Sequence, residues 1–90
     1  MRMYGMRFMA VFVQYHKPCA VGFDTPTDAL DFLFWGYEAR ELLPCGTYDL
    51  FTDEVQLYRH QGIETDYADP ELIRQTARAY LTDLRRLGRF

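Results

Sequence analysis

The segment from Arg7 to Tyr15, RFMAVFVQY, constrains the fold of this chain more than any other stretch. Its β-branched and aromatic residues favour a β-strand, and apolar side chains occupy both of the alternating sets of positions. A strand that is apolar on both faces belongs in the middle of a sheet, where each side is at least partly covered. We therefore expect this segment to be a central strand.

Two later segments predict helix starts with the same chemistry. Residues 24–28 (DTPTD) and 69–71 (DPE) each combine a capping oxygen, a proline and an acid. The oxygen accepts from the free amides of the first turn, the proline lacks an N–H that would be unpaired there, and the acid favours the helix dipole. These signals predict helices from residue 26 to about 40 and from residue 70 to about 87, the second ended by Gly88.

The remaining apolar runs complete a predicted order of β-β-α-β-β-α. Residues 19–23 form a hairpin with the first strand, and residues 47–59 form a second hairpin around a polar turn, with the run LPCG at 43–46 as a break before it. Ninety residues support one core, so residues 1–90 are a single domain. We predict an α+β fold, a four-stranded, mainly antiparallel sheet with two helices packed on one face.

That arrangement leaves the second sheet face uncovered, although the first strand is apolar on both sides. A second copy of the chain is one way to cover it, so self-association as a homo-oligomer is a further hypothesis. No run approaches the ~18 apolar residues of a membrane span, and the start lacks the features of a secretory signal. We therefore expect a cytoplasmic protein.

The first helix carries the main candidate site. Its periodicity assigns five apolar residues to the face that packs on the sheet: Ala29, Leu30, Leu33, Phe34 and Tyr37. Phe32 and Trp35 then point away from the sheet, with Asp31 and Glu38 beside them. Large aromatic residues of this kind anchor protein interfaces, so these four residues are predicted to bind a partner protein. The alternative is that Tyr48 or the loop at 41–46 folds over the two rings.

The second helix carries a stripe of four arginines: Arg74, Arg78, Arg85 and Arg89. Such a stripe can contact nucleic-acid phosphates or an acidic protein surface. The alternative is a solvated face whose cations complement the helix dipole. Residues 24–72 hold twelve acids against two arginines, which disfavours a protein that coats nucleic acid and favours docking onto a basic partner. Nucleic-acid binding is therefore the second functional hypothesis.

Catalytic and metal chemistry find little support. His16, Cys19, Cys45 and His60 do not have the paired spacing of a structural zinc site. Acidic surroundings disfavour a reactive thiolate at Cys45, and no glycine-rich phosphate loop occurs. We expect two buried free thiols, no catalytic residue, no metal and no cofactor, and hence a protein that is not an enzyme.

The runs FDTPTDALDFLF and LLPCGTYDL resemble segments of short uncharacterised accessory proteins of actinobacteria and their phages. The resemblance is carried by residues 23–25, 29–33 and 46–49, under a third of the chain. It implies a small accessory protein that binds a host or defence factor. It transfers no catalytic residue, and the second helix has no counterpart in it.

Overall fold

A computed structural model describes residues 7–86 of the chain. The elements are β1 (Phe8–Gln14), β2 (Lys17–Phe23), α1 (Pro26–Glu38), β3 (Leu43–Asp49), β4 (Glu54–Leu57), β5 (Arg59–His60), β6 (Ile63–Glu64) and α2 (Pro70–Arg86). The predicted α+β class and the order of the main elements are confirmed, with β5 and β6 as an added small hairpin. Between residues 7 and 86, neither helix is long and apolar enough to cross a membrane.

β1 is a central strand of the four-stranded antiparallel sheet, as predicted. The strand order is β2-β1-β3-β4, so β1 pairs with a neighbour on each side. Val11, for example, lies opposite Ala20 of β2 and Gly46 of β3. In this position the backbone N–H and C=O groups of β1 have hydrogen-bond partners along both edges of the strand.

The two helices lie on opposite faces of the sheet, so the prediction that both pack on one face is wrong. Ala10 and Phe12 of β1 belong to the cluster beneath α1. Met9, Val11 and Val13 belong to the cluster beneath α2. Because β1 is apolar on both faces, each face takes one helix. Within residues 7–86 each face of the sheet is backed by a helix, so the reason given for expecting a second copy there does not apply.

β3 begins earlier than predicted, because the run at 43–46 is part of the strand and not a break. Pro44 lies opposite Phe12, and the register between β1 and β3 shifts between Val11 and Phe12. Such a bulge lets a proline, which has no N–H for the ladder, sit inside a strand.

Both predicted helix starts are present. The Thr25 hydroxyl accepts from the Asp28 N–H at 3.1 Å, and Pro26 occupies the first turn of α1. The Asp69 carboxylate accepts from the Glu71 N–H at 3.0 Å at the start of α2. The predicted end of the second helix, at residues 87–88, lies outside the described residues.

α1 packs through a face different from the one its periodicity predicted. Ala29 and Leu33 are buried as expected, but Phe32 also turns inward, and its ring centroid lies 5.3 Å from those of Phe12 and Phe23. Three residues that were assigned to the core keep more than a third of their surface exposed: Leu30, Phe34 and Tyr37. The helix is apolar almost all round from residue 29 to 37, so the aromatic neighbours of Phe32 decide its rotation.

Candidate functional site

Trp35 lies on the outer side of α1 and is 66% exposed. Its ring meets Phe34 edge-on at a centroid distance of 5.1 Å, and Phe34 stacks on His60 at 5.4 Å. Tyr48 is buried in the cluster beneath α2, on the other side of the sheet. Between residues 7 and 86 neither Tyr48 nor the loop at 41–46 folds over the indole, so that alternative is wrong for Trp35.

His60 ties β5 to the end of α1. Its Nε2 donates to the Glu38 carboxylate at 2.9 Å, and its Nδ1 lies 3.0 Å from the Tyr58 hydroxyl. A carboxylate can only accept, so the proton is on Nε2. Burial, and then the charge of Glu38, raise the pKa of Tyr58. The phenol therefore keeps its proton, and in the neutral imidazole that carries its proton on Nε2 it donates to Nδ1.

This carboxylate, imidazole and hydroxyl have the connectivity of an acid–base relay. A relay, however, needs a hydroxyl that reaches substrate and loses its proton readily. Tyr58 is 4% exposed, and its pKa is raised, so neither condition is met. The arrangement serves to hold the aromatic side chains around His60 in place.

The four predicted binding residues divide between the surface and the core. Trp35 and Asp31 are exposed on α1, one helical turn apart, and Glu38 is half-exposed while bonded to His60. Phe32 packs into the core, which corrects its assignment to the binding surface. Phe34 takes its place beside the indole. We call the surface formed by Asp31, Phe34, Trp35 and Glu38 the Trp35 patch.

Two open grooves adjoin this surface near the C-terminal end of α1. The first, of about 680 Å³, lies between the β1–β2 turn and the α1–β3 loop. The second, of about 360 Å³, lies against the β5–β6 hairpin. Tyr37, Leu43 and Tyr67 line both grooves. Sequence reasoning missed this site because its walls come from three separate segments, residues 13–16, 37–43 and 60–67.

The arginine stripe of α2 is partly engaged with Asp53 of the β3–β4 turn. Arg78 lies 3.0 Å and Arg74 3.6 Å from the Asp53 carboxylate, which also accepts from the Tyr48 hydroxyl. The bond from Tyr48 and the bond from Arg78 lower the pKa of Asp53. Arg85 lies at the exposed surface, and Arg89 is outside the described residues. A phosphate would have to compete with Asp53 for half of the predicted stripe.

The two cysteines are free and lie on opposite faces of the sheet, Cys19 toward α1 and Cys45 toward α2. Burial raises the pKa of Cys45 to about 11, so it is a thiol at neutral pH. Across residues 7–86, no three His, Cys, Asp or Glu side chains are grouped so that they could hold a metal ion.

No protein-family model, curated protein or solved structure matches this chain.

Proposed function

We propose that the chain is a non-catalytic protein-binding module that docks onto a partner protein through the Trp35 patch. The observation that carries the proposal is the exposure of Trp35 to 66% on a helix whose other side is already packed. Tryptophan is enriched among the residues that dominate interface energies, and its burial by a partner removes a large apolar area from water. This role agrees with the accessory function that the sequence resemblance implies.

The charges around the indole define the partner surface that fits it. Asp31 lies four residues before Trp35 and Glu38 three residues after it, so both acids flank the ring on the same side of α1. A partner with basic side chains around an apolar pocket complements this pattern. Such charges raise the association rate at low salt, and their effect weakens as salt is added.

The full chain, tagged and used to capture proteins from its native cell, tests the proposal through two matched variants. Trp35→Ala removes the indole ring from the patch. Phe51→Ala removes another aromatic ring that is 77% exposed, in the β3–β4 turn at the far end of β3 from the grooves. We expect a protein that is captured by the original chain and by Phe51→Ala to be lost with Trp35→Ala, while all three unfold at similar temperatures.

Fluorescence gives an independent measurement, because Trp35 is the only tryptophan of the chain. The purified partner should shift its emission to shorter wavelength and protect it from acrylamide, as the indole leaves water. Identical capture by both variants, or loss of folding in Trp35→Ala, would contradict the proposal.

Two further outcomes would reassign the surface. Capture that is abolished by nuclease and by changing Arg78 and Arg85 to Gln would favour the nucleic-acid hypothesis instead. A concentration-dependent dimer in light scattering that disappears in Trp35→Ala would identify a second copy as the occupant and would overturn docking onto a different protein.

A further inference from the structure

The turn between β1 and β2 is built from residues that fit its backbone poorly. Tyr15 and His16 have φ angles of +52° and +64°, the pattern of a type I′ turn. Asn and Gly adopt this conformation at much lower cost than a bulky side chain. Tyr15 is 87% exposed, so burial does not offset the cost. Both residues line the first groove.

The opposite wall of the first groove contains a third residue of this kind. Arg40 has a φ of +60° just beyond the end of α1. Its N–H donates to the Tyr37 carbonyl at 3.0 Å, and the Glu41 N–H donates to the Gly36 carbonyl at 2.9 Å. This pair of bonds is the Schellman helix ending, whose left-handed position is usually glycine. Local folding therefore favours smaller residues at all three of these positions around the first groove.

Carboxylates outnumber cations along the two grooves. Within residues 7–86, the grooves are lined by one arginine, Arg40, and by four acids: Glu38, Glu41, Glu64 and Asp66. The C-terminal end of α1, which carries the negative end of the helix dipole, borders the first groove. The lining is therefore net negative.

Three tyrosines, Tyr15, Tyr37 and Tyr67, line the first groove together with these acids. A guanidinium group stacks on aromatic rings and also forms paired hydrogen bonds with carboxylates. An ammonium group is more strongly hydrated and lacks the planar face. The combination of rings and acids therefore fits arginine better than lysine.

We propose that the two grooves bind arginine side chains of a basic segment in the partner. This inference rests on the proposed docking function: the Trp35 patch supplies an apolar anchor, and the grooves select the chemistry of the segment beside it. The ridge of Tyr37, Leu43 and Tyr67 between the grooves separates the two arginine positions.

Calorimetric titration of the full chain with a capped hexa-arginine peptide tests the inference. Capped hexa-lysine has the same charge, and capped hexa-citrulline has nearly the same shape without the charge. Hexa-arginine should bind more tightly than hexa-lysine, because only the guanidinium has a planar face for stacking and forms paired hydrogen bonds with carboxylates, and hexa-citrulline should not bind. Equal affinity for arginine and lysine would overturn the inference, because charge alone would then explain binding.

Two variants separate a role in folding from a role in binding. Tyr15→Asn combined with His16→Gly relaxes the turn and removes the ring, so the chain should unfold at a higher temperature but bind hexa-arginine less tightly. Arg40→Gly also relaxes its backbone, but it removes the cation, so binding should become tighter. Weaker hexa-arginine binding in Arg40→Gly would show that the Arg40 side chain supports the peptide instead of repelling it, and would overturn the inference.

A matched pair of acids controls for overall charge. Glu41→Gln removes a carboxylate from the first groove, whereas Glu54→Gln removes an exposed carboxylate on β4 that lines neither groove. Only Glu41→Gln should weaken hexa-arginine binding, and equal effects would contradict a local site. If hexa-arginine fails to bind while Trp35-dependent capture persists, the groove inference fails and the docking function stands.

Discussion

The two helices cover opposite faces of the same sheet but distribute their apolar residues differently. α2 buries Ile73 and Ala77, with Leu72, Tyr80 and Leu81 packed beside them, and exposes mainly charged and polar side chains. α1 buries Ala29 and Leu33 and still leaves Phe34 and Trp35 exposed. A helix whose apolar stripe is fully used by its own sheet needs no partner. α1 has apolar surface left over, and this difference is what locates the candidate site.

The largest expected effects come from truncating the core beneath each helix. Leu33 and Ile73 are both fully buried, one on each face of the sheet. Leu33→Ala and Ile73→Ala should each lower the free energy of unfolding by about 2–5 kcal/mol, measured by denaturant titration. If Leu33→Ala changed stability by well under this range, α1 would not be a full structural counterpart of α2, and the comparison would break down.

Smaller losses of stability are expected from alanine substitutions at two glycines, Gly46 in β3, which faces α2, and Gly36 in α1. A Cβ at Gly46 would lie 2.3 Å from the backbone oxygen of Gln56 and 2.7 Å from Ile73 Cδ1. A Cβ at Gly36 would lie 2.4 Å from the side chain of Leu42, which can move. Gly46→Ala should therefore cost about 1–3 kcal/mol.

Gly36→Ala should cost less than Gly46→Ala, because alanine also raises the helix propensity of α1. Thermal unfolding of the two variants side by side gives the order directly. A larger loss in Gly36→Ala would show that the α1 side is the more rigidly packed of the two.

The smallest expected effect is a pH dependence of the folding stability that comes from the ion pairs. Arg7 makes two hydrogen bonds of 3.0 Å to Asp49, and these hold the pKa of Asp49 at about 2, below its ordinary 3.8. Between these values the unfolded chain binds more protons than the folded one. The pair therefore contributes stability above pH 4 that is lost as the pH falls through about 2.

Asp49→Asn should remove the part of the acid-induced loss of stability that comes from the Arg7–Asp49 pair. Asp53→Asn should remove a separate part, because Tyr48 and Arg78 lower the pKa of Asp53 on the α2 side of the sheet. Unfolding midpoints measured from pH 5 to 2 distinguish the two contributions. If the unfolding midpoint of Asp49→Asn fell with pH as steeply as that of the original chain, the Arg7–Asp49 pair would not be a source of the pH dependence.

The sequence predicted those features that depend on short segments. The capping residues of both helices and the central strand follow from residues that act within a turn or along one strand, such as Thr25 and Asp69. The apolar character of both faces of β1 already implied a covering layer on each side. Placing both helices on one face conflicted with that implication, and the structure decides in favour of the strand pattern.

Features that depend on tertiary contacts were not predictable in this way. The rotation of α1 is set by the contacts of Phe32 with Phe12 and Phe23. The periodicity of the helix sequence carries no information about these contacts with distant residues. The β5–β6 hairpin did leave a local signal, because Gln61 and Gly62 form its two-residue turn with positive φ angles. The grooves left none, because their walls meet only after the sheet has formed.

One end of β2 has a consequence for the behaviour of the chain in concentrated solution. β2 forms an outer edge of the sheet, and Pro18 lies opposite Val13, next to the pair of Gln14 and Lys17 that closes the turn. Pairs alternate along such a hairpin, so the nitrogen of Pro18 faces outward and offers no hydrogen. A strand from another molecule would meet a missing donor and a lysine charge there, which opposes edge-to-edge aggregation.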